Sequence, residues 1–317
     1  MIVVERIASY VPPGRESNFD RAAEFALDRD FIVDKLGVET VSRKAPDEET
    51  SDLCMKAAEA LEAQTGGRLD DVDCLVVCTQ NPDGDGIPHT SAVVHAKLKL
   101  SERCACFDIS LGCSGYVYGL SVVSAFMQSN GLRTGLLFTA DPYSKIIDRT
   151  DRSTALLFGD AAAVTLLREA GDAGRGWVAK RFAFGTRGAD GAALHNRGKR
   201  LVMDGRAIFN FSVTQVPLQV GELLKGAGLT PADVDLFLLH QGSKFIVDQL
   251  TRRLGVPAER VPLRLAGQGN TVSSSLPLLL EETLDRPQLR HIVMSGFGVG
   301  LSWASCLLGR ASAEDRA

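Results

Sequence analysis

The sequence predicts an α/β fold made of two related halves, and three observations support this prediction. Residues 71–80 (DVDCLVVCTQ) resemble residues 233–242 (DVDLFLLHQG), and residues 132–140 (LRTGLLFTA) resemble residues 289–297 (LRHIVMSGF). Both pairs occur in the same order and at nearly the same separation, which favours a duplication over chance. Short apolar runs also alternate with helix-like segments along the whole chain, as in α/β proteins.

The predicted strands are continuous apolar runs, which indicates that helices cover both faces of the sheets. In the first half we expect strands near residues 2–8, 73–79, 104–110, 133–139 and 161–167. In the second half we expect strands near residues 177–184, 235–239, 260–265, 290–296 and 301–308. The segment EAGDAGRG is typical of a loop and lies near the expected junction of the halves. We therefore predict one domain over residues 1–170 and another over residues 171–317.

Composition excludes several classes of protein. With 317 residues, 45% of them hydrophobic, the chain has enough apolar material for a core and is not expected to be disordered. A net charge of −4 argues against a general nucleic-acid binder. Glu5 and Arg6 interrupt the apolar start, so no signal-peptide core is expected. The uncharged stretch 109–132 contains many serines and glycines, so we expect a buried helix there and no membrane span.

The seven cysteines favour a cytoplasmic protein with free thiols. Their number is odd and no CxxC pair occurs, which disfavours both a disulfide framework and a zinc cage. Cys104 and Cys106 lie two residues apart on a predicted strand, so we expect both side chains to point into the core. We find no metal-ligand set and no phosphate-binding loop in the sequence.

Cys113 is the candidate nucleophile. It follows the strand that ends near Ser110 and a glycine-containing turn, and it precedes an uncharged helix. A thiol at a helix N-terminus experiences the positive end of the helix dipole, so we expect a lowered pKa and a reactive thiolate. An inert cysteine in a glycine-rich packing helix is an alternative of equal weight.

His240 is the first candidate partner of Cys113. It ends the run DLFLLHQG, at the carboxyl end of a predicted strand, where sites gather in α/β sheets. The matching strand of the first half ends in Thr79 and Gln80, so the repeated fold does not itself require a histidine. The alternative is a histidine that only caps a strand end.

Asn270 is the second candidate partner. It lies in the glycine-rich turn GQGN before an apolar helix, which we expect Thr271 or Ser273 to cap. By the repeat it takes the position that Cys113 has in the first half. The alternative is a loop asparagine in a left-handed turn.

The segment SGFGVGLSWAS (residues 295–305) is the third candidate element. Its glycines allow tight turns with inward N–H groups, which could form half of an oxyanion hole, with the N–H of Cys113 as the other half. The alternative is an ordinary strand–turn–strand hairpin.

Four of these motifs together resemble a known family. FDISLGCSGYVYGL, LLHQG, GQGNTVSSS and GFGVGLSWA, in this order, are similar to the β-ketoacyl-acyl-carrier-protein synthase III family of the thiolase superfamily, as is TDRSTALLFGDAAAV. The resemblance covers nearly the whole chain. It implies a thiolase-like five-layer α-β-α-β-α fold that is internally duplicated. It also implies a cytoplasmic homodimer that acts as an acyltransferase in fatty acid biosynthesis.

The resemblance also implies a mechanism without a cofactor or metal. Cys113 would accept an acyl group from acyl-CoA or an acyl-carrier protein (acyl-ACP). Malonyl-ACP would then lose CO₂ while His240 and Asn270 stabilise the enolate, and the resulting carbanion would attack the acyl-cysteine. The N–H groups of Cys113 and Val299 would form the oxyanion hole, and Phe297 would shield the pocket.

Other site residues are implied in part by departures from the family pattern. The set that would bind CoA or pantetheine is Phe31, Lys35, Arg152, Arg206, Phe209 and Ser243. The family usually has Trp at Phe31, Arg at Lys35, Asn at Arg206 and at Ser243, Gly at Val299, and Phe at the pocket residue Ile87. Whether the Ser243 hydroxyl replaces the usual asparagine stays open. These differences point to a paralogue with a different starter or acceptor.

A basic stretch from Lys244 to Arg264 suggests a carrier-protein partner. Arg252 and Arg253 match a basic pair that docks the carrier protein in the family, and an acidic partner would be attracted to it. A solvated helix face is the alternative.

Two other functions stay open from the sequence. One is an acyltransferase that moves the Cys113-bound acyl group to an alcohol or amine, in secondary-metabolite or surface-glycan biosynthesis. The other is a non-catalytic subunit of a condensing heterodimer. The presence of Cys113, His240 and Asn270 argues against the latter.

Overall fold

The computed structural model describes residues 1–67, 69, 71–171, 176–198 and 200–312. In chain order the strands are β1 Ile2–Tyr10, β2 Gly14–Ser17, β3 Thr40–Arg43, β4 Cys74–Cys78, β5 Ala105–Ile109, β6 Thr134–Ala140, β7 Ala162–Glu169, β8 Trp177–Thr186, β9 Leu194–Arg197, β10 Arg200–Met203, β11 Leu236–Leu239, β12 His291–Gly298 and β13 Ser302–Arg310. The α-helices are α1 Thr50–Thr65, α2 Thr90–Leu98, α3 Gly115–Asn130, α4 Arg152–Ala155, α5 Gly205–Gly226, α6 Lys244–Leu254 and α7 Ser275–Glu281.

One strand order occurs twice in the molecule. The strands of the first half lie in the order β5-β4-β6-β7-β1, and those of the second half in the order β11-β12-β13-β8. The pairs β4–β6 and β11–β12 are parallel, while the pairs that follow them in each half are antiparallel. The two sets join where Val4 on β1 pairs with Trp177 on β8. The predicted internal duplication is therefore confirmed.

The repeat extends to individual hydrogen bonds. Asp73 accepts the backbone N–H groups of Arg133 and Thr134, at 2.7 and 2.9 Å. In the second half, Asp235 accepts those of Arg290 and His291, at 2.6 and 2.8 Å. The second aspartate of each Asp-Val-Asp motif thus fixes the start of the neighbouring parallel strand.

The helices form three layers around the two sets of strands. Helices α1 and α2 pack on the outer face of the first set, and α5 packs on the outer face of the second set beside α6. Helices α3 and α7 lie between the sets and contact strands of both. Strands β4, β6 and β11 are buried along their whole length, as continuous apolar strands predict. The predicted α-β-α-β-α fold is confirmed.

One predicted strand is wrong. Residues 260–265 have no strand partner in the described part of the chain, whereas the other nine predicted strands are present. Pro262 has no N–H to donate to a sheet. The backbone on either side is bonded instead to the Gln241 side chain, which contacts the Pro262 carbonyl at 3.4 Å and accepts the Arg264 N–H at 2.8 Å.

The predicted junction of the two halves lies partly outside the described residues, because residues 172–175 are not among them. The domain boundary at residue 170 therefore stays a prediction.

The stretch 109–132 forms the end of β5 and the 16-residue helix α3, which is buried between the two sets of strands. No helix in the described residues has the length and apolar character needed to cross a membrane.

Candidate active site

Cys113 lies at the amino end of the central helix α3. The chain leaves β5 at Ile109, turns, and places Cys113 two residues before the helix begins at Gly115. The side chain is 3% exposed. Close packing explains the flanking glycine, because a Cβ at Gly115 would lie 2.3 Å from the sulfur of Cys78. The fold therefore holds the thiol at a helix start, as the sequence predicts.

The charge state of the thiol differs from the prediction. Burial, followed by the nearby Asp141 carboxylate, raises the pKa of Cys113 to about 12. The backbone N–H of Val299 favours the thiolate but does not offset burial. The expectation of a lowered pKa is wrong, because desolvation outweighs the helix terminus when the sulfur is fully enclosed. The thiol is therefore protonated at neutral pH.

The loop between β12 and β13 reaches the sulfur of Cys113. The backbone N–H groups of Val299 and of Cys113 itself both lie within hydrogen-bonding reach of it. A Cβ at Gly298 would lie 2.8 Å from the sulfur, so only glycine allows this approach. The segment is a hairpin and also contributes to the site, so the two interpretations are compatible. The two N–H groups that the sequence assigns to an oxyanion hole therefore both lie beside the Cys113 sulfur.

His240 directly follows β11, and three contacts fix its position. Its backbone N–H donates to the Ser295 carbonyl at 2.9 Å, and its Nδ1 lies 2.7 Å from the hydroxyl oxygen of Ser275. The Phe297 ring packs edge-to-face against the imidazole, with the ring centroids 5.4 Å apart. Burial alone lowers the pKa of His240 to about 3, so the ring is neutral at physiological pH.

Asn270 is fixed by the segment that follows helix α4. Its N–H donates to the Leu157 carbonyl at 2.8 Å, and its carbonyl accepts the Gly159 N–H at 3.0 Å. Its side-chain Oδ1 accepts the Val272 N–H at 2.9 Å, which turns the amide nitrogen towards the Nε2 atom of His240, 3.4 Å away. Two nitrogens at this separation can direct hydrogens at one substrate oxygen.

The predicted cap of the helix after Asn270 is wrong. A short turn over Val272–Ser274 separates the asparagine from α7, and neither Thr271 nor Ser273 caps a helix there. The Ser273 hydroxyl donates instead to the Asp141 carboxylate at 3.0 Å. The serine run therefore serves the packing of the site and not the start of the helix.

One cavity of about 430 Å³ brings most of the predicted site residues together. The predicted residues among its lining are Cys113, His240, Asn270, Phe297, Phe31, Arg152, Arg206, Phe209 and Ser243. Lys35 is not among the lining residues, and its ammonium lies 4.6 Å from the centre of the Phe245 ring. Ile87 does not line the cavity either, and its side chain is 95% exposed.

The outer part of the cavity is lined by aromatic and cationic groups. The Arg152 guanidinium lies 4.9 Å from the centre of the Phe31 ring, and Phe209 stacks on Phe245 with centroids 5.1 Å apart. The Ser243 hydroxyl accepts the Ile246 N–H at 3.2 Å and so caps helix α6. Phe31, Arg152, Phe209 and Ser243 all line the cavity.

Three residues of the site were not predicted from the sequence. They are Ser275, which contacts His240; Phe245, which lines the cavity; and Asp141, which accepts the Gln80 N–H at 2.7 Å. Burial raises the pKa of Asp141 to about 7. The signal for Ser275 was the serine run 273–275, but which serine faces the histidine depends on the intervening turn.

Two arginines of the predicted basic stretch, Arg252 and Arg253, are exposed. Lys244 pairs with Asp248 at 2.6 Å, and Arg264 pairs with Glu282 at 2.7 Å. Arg252 and Arg253 lie in the last turn of α6, on the surface. The start of the same helix lines the cavity, so the two arginines lie at its other end.

A cysteine, a histidine and an asparagine that converge in one buried cavity of a duplicated α-β-α-β-α fold are typical of thiolase-like condensing enzymes. The family models for 3-oxoacyl-[acyl-carrier-protein] synthase III match residues 107–188, and those for its C-terminal part match residues 224–310. The β-ketoacyl-[acyl-carrier-protein] synthase III of Streptococcus sanguinis (strain SK36) is 33% identical over 322 residues, covering 96% of this chain and 98% of the relative.

Solved structures give the same result. The β-ketoacyl-[acyl-carrier-protein] synthase III of Thermus thermophilus has a TM-score of 0.89 at 33% identity, covering 98% of this chain and 100% of that chain. The 3-oxoacyl-(acyl carrier protein) synthase III of Pseudomonas aeruginosa PAO1 has a TM-score of 0.88 at 33% identity, covering 98% of each chain. The chain belongs to the 3-oxoacyl-ACP synthase III family and is an acyl-transferring condensing enzyme.

Proposed function

We propose that the chain catalyses the decarboxylative condensation of a cysteine-bound acyl group with malonyl-ACP. The observation that carries this proposal is the convergence of two nitrogen donors, from His240 and Asn270, in the cavity that holds Cys113. An enolate needs such donors in a dry site, because hydrogen bonds to a developing negative charge are strongest where water is excluded.

In the first step the Cys113 sulfur attacks the carbonyl carbon of an acyl thioester. The negative charge that develops on the carbonyl oxygen is held by the N–H groups of Cys113 and Val299. The tetrahedral intermediate then breaks its bond to the pantetheine sulfur, which leaves as a thiol with the proton that Cys113 gave up. The acyl group is now a thioester of Cys113.

In the second step the malonyl thioester of the carrier protein enters the same cavity. Its bond to the carboxylate breaks, CO₂ leaves, and the electron pair forms an enolate whose oxygen accepts hydrogen bonds from His240 and Asn270. A neutral imidazole can donate from Nε2 when the Ser275 hydroxyl donates to Nδ1, which its 2.7 Å contact permits. The Val272 N–H holds the amide of Asn270 in the matching orientation.

In the last step the enolate carbon attacks the carbonyl of the acyl-cysteine. A carbon–carbon bond forms, the same oxyanion hole holds the charge, and the bond to the Cys113 sulfur breaks. The released thiolate takes up a proton from solvent, because burial raises the pKa of the thiol to about 12. The products are the β-ketoacyl-ACP, CO₂ and the free enzyme.

Intact-protein mass spectrometry tests this sequence of steps. Wild-type protein and Cys113→Ala are each mixed with a panel of acyl-CoAs and acyl-ACPs, and malonyl-ACP is then added. We expect an acyl adduct on the wild type alone, and its discharge with formation of a β-ketoacyl product. The same panel identifies the starter and whether CoA or ACP is the preferred donor.

The acyltransferase alternative gives a different result in the same experiment. An adduct that persists with malonyl-ACP but is discharged by an alcohol or amine would overturn the condensing proposal. The relatives, which are synthases III, do not favour that alternative. An enzyme with no adduct from any donor, whose Cys113→Ala variant keeps pathway activity, would instead match a non-catalytic subunit.

We propose that the outer cavity binds the pantetheine arm and the nucleotide of CoA. Phe31 and Arg152 form a stacked pair at 4.9 Å that a purine ring could join, and Arg206 is an exposed cation in the first turn of α5. Lys35 would contribute from beside Phe245. No cofactor or metal takes part in this reaction; acyl-CoA and malonyl-ACP are its substrates.

We further propose that the enzyme is a homodimer of the cytoplasm. Strand β5 forms an edge of the large sheet, and each of its five residues is only partly buried, as expected for a strand that pairs with a second copy. Ile87 would then reach the partner's acyl pocket, which would explain an apolar side chain that is 95% exposed. Seven free thiols suit a reducing compartment.

A further inference from the structure

Two cysteines and a histidine meet at the edge of the sheet, away from the active site. His95 lies in the last turn of α2, Cys104 just precedes β5, and Cys106 lies on β5. One ligand atom from each residue lies within 4.8 Å of the others, and the two sulfurs are 4.0 Å apart. Among the described residues, this is the one group of three or more such side chains close enough to share a cation.

The separations are close to those of a tetrahedral metal site. Zinc–sulfur bonds of about 2.3 Å place two sulfur ligands roughly 3.8 Å apart around a tetrahedral ion. The observed 4.0 Å differs from this by a few tenths of an ångström. His95 is on the partly buried face of α2, and its ligand nitrogen lies within 4.8 Å of both sulfurs.

The histidine is also held in the form that binds metals. Its Nε2 lies 3.0 Å from the carbonyl oxygen of Ser101, an acceptor only, so Nε2 carries the proton and Nδ1 has the free lone pair. A hydrogen bond from one imidazole nitrogen to a backbone carbonyl is the usual support of a histidine ligand. Asp108 is not available as a further ligand, because its oxygens accept the Thr90 and Ser91 N–H groups at the start of α2.

A cation can reach these residues from solvent. Cys104 lines an open surface cavity together with Ser101 and Arg103 at the amino ends of the strands. His95 and Cys106 are partly buried in the single chain. Because β5 is proposed above to pair with a second copy, the entry path is the cavity beside Cys104, just before that strand begins. The set therefore combines two soft ligands, a borderline ligand and an entry path, which suits Zn²⁺ and excludes the hard cations Mg²⁺ and Ca²⁺.

We propose that His95, Cys104 and Cys106 form a three-ligand site for a Zn²⁺-class cation, with the fourth position open to water. On binding, each thiol gives its proton to solvent and forms a sulfur–metal bond, while the imidazole binds as a neutral ligand. The spacing His-x₈-Cys-x-Cys contains no CxxC pair, so the sequence alone does not point to this site. The site is independent of the condensing reaction.

Titration of the reduced, metal-free, full-length protein with Co²⁺ tests the proposal. Co²⁺ takes the geometry of zinc and shows a thiolate charge-transfer absorption when cysteine binds it. We expect this absorption to saturate at one Co²⁺ per chain and to disappear when Zn²⁺ is added. Cys106→Ser should lose at least half of the absorption, and His95→Ala should weaken Co²⁺ binding by at least about tenfold.

Two further variants serve as controls. His291→Ala removes another partly exposed histidine that contacts a backbone carbonyl, at 3.1 Å, and should leave binding unchanged. Cys113→Ala should also keep the full absorption, because the active-site thiol takes no part. If Cys106→Ser fails to fold, as judged by circular dichroism, His95→Ala decides alone.

The proposal is overturned if the wild type shows no thiolate–cobalt absorption. It is also overturned if His95→Ala binds Co²⁺ as tightly as wild type, or if the absorption is lost in Cys113→Ala, since the metal would then lie elsewhere.

Discussion

The two halves of the molecule share a strand order but differ at the ends of matching strands. Strand β4 is followed by Thr79 and Gln80, whereas its counterpart β11 is followed by His240. The turn before α3 carries Cys113, and the matching turn before α7 carries Asn270. In the cavity, the first half supplies the proposed nucleophile Cys113, and the second half supplies the proposed enolate donors His240 and Asn270.

This difference shows how a duplicated fold can place different catalytic groups in its two halves. The parts that set the register of the strands are the same in both halves, as the paired hydrogen bonds of Asp73 and Asp235 show. The residues that face the cavity are free of that constraint. Removal of a contact that sets strand register should therefore destabilise the protein equally in either half. Substitution of a residue that lines the cavity should change only one partial reaction.

The largest expected effect concerns the charge of the nucleophile in the first half. Because the pKa of Cys113 is raised to about 12, its thiolate fraction rises about tenfold per pH unit throughout the range below that value. The rate of alkylation by iodoacetamide, followed by intact mass, should thus rise about 100-fold between pH 7 and pH 9. A plateau near pH 7 would instead support the lowered pKa that the helix terminus suggests.

The next effect concerns the donors of the second half. Ser275→Ala removes the hydroxyl 2.7 Å from His240 Nδ1, so the imidazole loses the partner that fixes its orientation and tautomer. We expect CO₂ release from malonyl-ACP to fall about tenfold, as for the loss of one hydrogen bond of ~1.4 kcal/mol. Acylation of Cys113 should be unchanged.

Ser273→Ala is the matched control, since its hydroxyl contacts Asp141 and not His240. Equal loss of CO₂ release in both serine variants would indicate a general packing defect and not a specific support of the histidine.

A smaller effect is expected on the surface of the second half. The double variant Arg252→Ala, Arg253→Ala should raise KM for malonyl-ACP about threefold to tenfold, because two exposed charges that meet an acidic partner are lost. KM for acyl-CoA should stay the same. Lys56→Ala, an exposed cation on α1, serves as the control, and an equal rise in that variant would refute docking at α6.

The smallest effect on catalysis is expected from the shared scaffold. Asp73→Ala and Asp235→Ala each leave two backbone N–H groups without their carboxylate, which should lower the free energy of unfolding by about 1–3 kcal/mol. The two losses, measured by denaturant unfolding, should agree to within about 1 kcal/mol. A large difference between the two variants would contradict the structural equivalence of the halves.

The sequence predicts those features that local pattern determines. Nine of the ten expected strands are present, because continuous apolar runs of strand length need cover on both faces. The tenth predicted strand, residues 260–265, does not form. The side chain of Gln241, which is distant in sequence, instead bonds to the Pro262 carbonyl and the Arg264 N–H. Local pattern carries no information about such a long-range partner.

The same distinction between local pattern and long-range packing applies to the site. The motifs locate Cys113, His240 and Asn270, and the structure brings these three residues to one cavity. The pKa of the thiol, in contrast, depends on total enclosure by both halves, and the contact of Ser275 depends on a short turn that the sequence does not define. Properties that arise from packing between the halves were thus missed or predicted in the wrong direction.

Separate measurement of the two partial reactions tests whether the two halves carry out different steps. Acyl-adduct formation by intact mass and CO₂ release from malonyl-ACP are measured for Cys113→Ala and for Asn270→Ala. We predict that Cys113→Ala forms no adduct but still releases CO₂. Asn270→Ala should be acylated at the wild-type rate, while its CO₂ release falls on the order of 100-fold. Loss of both reactions in both variants, or loss of acylation alone in Asn270→Ala, would contradict the division of chemistry between the two halves.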